Sequence, residues 1–113
     1  MDEKNIDNVI GLHLRGEFLF IGHQNSGFVG PIKKGLRLML WGNSNKRVTS
    51  CSFVRDFPIK IGEKGYIEIV IASAKAIDKK IDIGQTYVIG TPEKKLGEFL
   101  ITEIIGEWIG KVP

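Results

Sequence analysis

Hydrophobic and polar residues alternate along most of this chain, and the period of two predicts strands rather than helices. In "IGLHLRGEFLF", residues 10–20, the residues Ile10, Leu12, Leu14, Phe18 and Phe20 share one face and His13, Arg15 and Glu17 the other. "GLRLMLWG", residues 35–42, sets Leu36, Leu38 and Leu40 against Arg37, Met39 and Trp41. "RVTSCSFVRD" is rich in β-branched and small residues, and "GYIEIVIAS" sets Ile67, Ile69 and Ile71 against Tyr66, Glu68 and Val70. Two last runs, inside "YVIGTPEKKLGEFLITEII" at 87–105, flank a charged tip, which is the pattern of a hairpin.

Turn-forming stretches separate these runs: "GHQNSGFVGP", "WGNSNK", "IGEKG" and "AIDKKIDIGQ", the last with room for a helical turn but not for a long helix. Fourteen glycines against four prolines fit many tight turns. The expected fold is all-β, a closed antiparallel barrel of about six strands with Greek-key connections, because closure removes exposed sheet edges. A two-sheet sandwich is the competing arrangement. Leu12, Leu14, Leu38, Ile69, Ile71 and Ile101 are the expected interior. At 113 residues the chain suits one domain, residues 1–113, with a short N-terminal tail at about 1–8.

Composition narrows the function classes only a little. Hydrophobic residues are 42% and charged residues 26%, an ordinary globular balance, and the net charge of +3 is mildly basic. A lone cysteine, Cys51, has no partner for an internal disulfide, the N-terminus lacks the pattern of a signal peptide, and no apolar run approaches the roughly 20 residues of a membrane-spanning helix. These features lead to the expectation of a soluble cytoplasmic protein that does not bind a membrane.

Signals for catalysis are weak. His13 and His23 lack a neighbouring carboxylate or cysteine at metal-binding spacing, so no metal and no cofactor are expected. Cys51 alternates into a strand as a small packing residue, and "IASA" and "TSCS" lack the G-x-S-x-G elbow. Glu98 and Glu103 fall on opposite faces of a regular strand, which argues against a carboxylate pair. Trp108, bracketed by Gly106 and Gly110, either covers the open end of the barrel or joins Ile109 in an apolar patch for a partner.

The run "GYIEIVIASAKAIDKKIDIGQTYVIGTPEKKLGEFLITEII" resembles the C-terminal β-barrel, domain III, of elongation factor Tu. The matching features are the strand at Gly65 to Ser73, the "AI" of Ala76 and Ile77, a G-x-x-Y-x-I-G strand at Gly84 to Gly90, and the final G-x-F-x-I-T-E-I-I. Gly35 and Arg37 in "GLRLMLW" match an earlier family strand, and the likeness covers most of residues 11–106. The resemblance implies a barrel that contacts tRNA or a translation protein. No phosphate-binding loop G-x-x-x-x-G-K-[ST] is present, so neither nucleotide binding nor GTP hydrolysis is part of the expectation. Both loops that the family aims at RNA depart from its pattern: the tip carries Pro92 and Glu93, and "HQNSGFVGPIKKG" replaces the first loop.

The expected binding surface is therefore the basic middle of the chain. Lys33, Lys34, Arg37, Lys46, Arg47, Arg55 and Lys60 meet only Asp56 among carboxylates of that stretch, with Phe28, Trp41 and Phe53 interleaved. Lys33, Lys34, Arg37, Trp41, Lys46 and Arg47 are the candidate site residues. The bland alternative is that these cations solvate outer strand faces and the aromatics fill the core. With the resemblance, the first reading makes the chain a non-catalytic binding module of the translation-factor type with an acidic RNA or protein partner. The alternative function is a small inhibitor, such as an immunity protein or antitoxin, that occludes a toxin or enzyme.

Overall fold

The computed structural model describes residues 10–22, 30–42, 48–73, 81–92, 94–109 and 112–113, and among them no helix forms. Six strands follow one another: β1 (Ile10–Phe20), β2 (Arg37–Trp41), β3 (Val48–Phe53), β4 (Lys64–Ile71), β5 (Thr86–Gly90) and β6 (Lys95–Ile109). They close a barrel in the order β1-β4-β3-β2-β5-β6, every pairing antiparallel, with β6 returning to β1. The run β2-β3-β4 is a meander, and β1 lies beside β4, the order of a Greek key. The expected closed barrel is thus the observed one, and the sandwich is not.

The interior follows the period-two pattern. Leu14, Phe18, Phe20, Leu40, Cys51, Phe53, Ile67, Ile69, Ile71, Tyr87, Ile89, Phe99 and Ile101 are buried, while Leu12 and Leu38 are half-buried against the same core. Each buried side chain of this size contributes about 1.5–3 kcal/mol relative to exposure. Ile32 and Phe57 bridge outside the strands, and the Phe53 and Phe57 rings meet edge to face at 6.4 Å. This plug of apolar side chains ties the segment before β2 to the segment after β3.

Two irregularities shape β6. Its register against β1 shifts between Arg15 and Gly16 and again between His13 and Leu14, so Thr102 and Ile105 are extra residues. The first shift turns Glu103 onto the face of Glu98: Glu98 stands opposite Leu19 and Glu103 opposite Arg15, both odd positions of β1. The expectation that these two glutamates point to opposite faces is therefore overturned, because a bulge breaks strict alternation. Of the "AIDKKIDIGQ" stretch, residues 76–80 lie outside the described residues, and Asp82–Gln85 form a turn.

Candidate functional site

Register alone assembles a row of outward positions across the wall, in which the covered Val70 and Ser52 lie between His13 and Arg37. His13 pairs with Val70, Val70 with Ser52, and Ser52 with Arg37, so these four outward residues cross β1, β4, β3 and β2. Arg37 Nε donates to Ser52 Oγ at 3.2 Å. One step along the strands, Glu103, Arg15 and Glu68 form a parallel row. Alternation turns these residues outward while their neighbours fill the core, except Glu103, which the bulge at Thr102 brings to that face.

Glu68 is the hub. Its side chain is only 9% exposed, and three cationic or donor groups converge on it: His13 Nε2 at 3.0 Å from Oε1, Arg15 Nη2 at 2.9 Å and Arg55 Nη1 at 3.0 Å from Oε2. Arg15 Nε adds a bond to Oε2 at 3.3 Å, and Arg55 Nη2 one to Oε1 at 3.3 Å. Arg55, followed by Arg15 and His13, holds this carboxyl down at about 2 against the opposing effect of burial. Arg15 Nη1 also reaches Glu103 at 3.1 Å, and the Arg55 guanidinium lies 5.7 Å from the centre of the Phe57 ring. The arginines remain accessible, with side chains 46% and 57% exposed.

Beside this hub lies a basic turn. Leu36 N–H donates to Lys33 C=O at 3.0 Å, and Gly35 at φ 82° supplies the left-handed position such a turn requires. The turn presents Lys33 and Lys34 to solvent. Asp56 anchors it by accepting the Lys34 backbone N–H at 2.7 Å and lying 3.9 Å from Lys33 Nζ. The half-buried Val112 and Pro113 come close by, with Pro113 3.8 Å from the position of a Cβ on Gly35.

The candidate residues from sequence thus separate. Lys33, Lys34 and Arg37 come together and gain Arg55 and Arg15 as neighbours on the wall. Trp41 is outward and half-buried, but it ends β2 opposite Val48 and Val88, four residues and so about 13 Å from Arg37. It does not stand beside that cationic group. Lys46, Arg47 and Phe28 lie outside the described residues, and Phe53 is core. At the hairpin tip Lys95 is held by Glu98 at 2.6 Å, and Glu93 is outside the described residues.

Three participants were missed from sequence. His13, Arg15 and Glu68 are 53 to 55 residues apart across their contacts, and no local spacing announces such a pairing. The only trace was that all three occupied polar positions of alternating strands. Trp108 also differs from the expected end cover: it stands opposite Gly11 on the outer wall and meets the His13 ring edge on at 5.2 Å. Ile109, the next residue, is 71% exposed.

Nothing in this arrangement assembles a nucleophile. Cys51 points into the core, where burial pushes its thiol up to about 12. Among the described residues no group of three His, Cys, Asp or Glu could hold a metal ion, and no helix is long and apolar enough to cross a membrane. A shallow groove of about 170 Å³ further along β1, β4 and β6, lined by Glu17, Leu19, Lys64, Thr86, Glu98 and Leu100, has its charges matched in pairs. Set against known proteins, the chain matches no family model and no curated protein.

Proposed function

We propose that this chain is a non-catalytic binding module whose basic outer wall docks an acidic partner, with the phosphate backbone of RNA as the partner its chemistry fits best. The observation that carries the reading is the gathering of Lys33, Lys34, Arg37, Arg55 and Arg15 on one wall against Asp56, Glu68 and Glu103. The surplus is cationic and largely exposed, and arginine guanidinium groups suit phosphate oxygens. The wall bulges outward, as barrel strands do, which suits a backbone laid across it more than a small ligand that needs enclosure. The resemblance to domain III of elongation factor Tu points to tRNA, although the docking surface here differs from that family's loops.

Filter binding of bulk tRNA across a range of salt tests the reading. Reversing Lys33 and Lys34 to Glu should weaken binding and flatten the salt slope by roughly one to two units, since each neutralised phosphate releases counterions. Reversing Lys94 and Lys95 should matter less, because Lys95 is already paired with Glu98. Equal loss in both variants would return the site to the hairpin tip. Absence of wild-type binding at low salt would discard RNA as the partner.

A further inference from the structure

Resting on the RNA-binding reading above, we propose that Glu68 is a positioning residue that locks Arg15 and Arg55 into a rigid clamp for one phosphate of the bound backbone. A carboxylate that is only 9% exposed on a basic docking wall otherwise works against the wall's charge and loses solvation besides. Its geometry gives it a use. Arg15 Nη2 and Arg55 Nη1 touch the same Oε2 at 2.9 and 3.0 Å, so these nitrogens lie within about 6 Å of each other, a spacing one phosphate group can bridge with two oxygens.

The donor inventory leaves room for that phosphate. A guanidinium carries five N–H groups, of which the bonds to Glu68 and Glu103 engage three on Arg15 and two on Arg55. The remaining donors sit on side chains that are about half exposed, with Val112 and Pro113 in place. Free arginines lose rotamer freedom when they engage a ligand. Two arginines already held by a nearly buried carboxylate, one of them also over the Phe57 ring, lose less. His13 fills the remaining side of Glu68, backed by Trp108, so the carboxylate cannot swing away.

The clamp and a diffuse cationic field predict opposite signs for Glu68→Gln. That substitution keeps the shape of the side chain and raises the net charge of the wall by one, so a diffuse field would bind tRNA more tightly. A clamp that loses its fixed geometry should bind about tenfold more weakly, with a salt slope no shallower than wild type. In parallel, replacing Arg15 and Arg55 together by Lys keeps every charge but removes the planar forks, and should likewise cost about tenfold at an unchanged salt slope. Circular dichroism tests whether each variant is folded, and the arginine pair decides alone if Glu68→Gln is not. Wild-type binding with equal or tighter binding by Glu68→Gln overturns the clamp and leaves the RNA reading standing. Undiminished binding by the double lysine variant does the same. Failure of the wild type to bind tRNA at low salt overturns both.

Discussion

Glu68 is nearly buried on an outward-facing position, and its three partners make its ionised form part of the folded state. Its carboxyl is depressed from an ordinary 4.5 to about 2, so the stabilisation it contributes is fully present above about pH 4.5 and is lost as pH falls towards 2. Allowing for screening of the exposed arginines, the contribution is about 2 kcal/mol. Thermal melts of wild type should therefore drop more steeply between pH 4.5 and pH 2 than those of Glu68→Gln, which starts lower but lacks this titration. Parallel curves for the two would remove Glu68 from the acid sensitivity. The network itself was not legible in the sequence. The polar character of His13, Arg15 and Glu68 could be read from alternation, but their meeting depends on the β1–β4 register.

Strand β6 runs for 15 residues, and what it does to the wall depends on its two register shifts more than on its composition. The first lies beside Gly16, where an added Cβ would press on the Leu100 carbonyl and come within 2.6 Å of the Phe99 ring. The backbone there has no room to yield without disturbing the pairing that turns Glu103 towards Arg15. Gly16→Ala should cost at least about 2 kcal/mol, read as a lower urea midpoint at an unchanged slope. A variant as stable as wild type would show that β6 can slide. Bulges leave little mark in a single sequence, which is why strict alternation put Glu98 and Glu103 on opposite faces, while Trp108 differs because β6 runs on past Gly106 to Ile109.

Closure of the whole barrel depends on seams of unequal length. Strands β1 and β6 pair from Ile10 with Ile109 to Phe20 with Gly97, whereas β2 meets β5 only through Met39–Trp41 on Val88–Gly90. The β3–β4 seam is equally short, Cys51–Phe53 on Ile69–Ile71. Local opening should begin where few hydrogen bonds must break together, so in native-state hydrogen exchange the amides of the β2–β5 seam should lose protection before those in the middle of β1 and β6. Uniform exchange across all six strands would instead indicate one cooperative unit without weak seams. The row from His13 to Arg37 crosses the short β3–β4 seam and ends on β2, whose far edge is the β2–β5 seam, so part of the docking wall rests on the shorter pairings of the barrel.

By itself the sequence determined the class of fold, the number of strands and most of the core, because a period of two is a local property and each strand carries its own. Leu14, Ile69, Ile71 and Ile101 could be placed inside from their neighbours alone. It also determined that Lys33, Lys34 and Arg37 form a cationic group, since a short turn keeps them together. The tertiary structure alone decided which charges meet: Arg55 and Arg15 reach Glu68 across strand pairings, and a bulge brings Glu103 to the face of Arg15. The physical reason is that alternation specifies which face a residue occupies, while register, bulges and barrel closure specify its neighbours on that face.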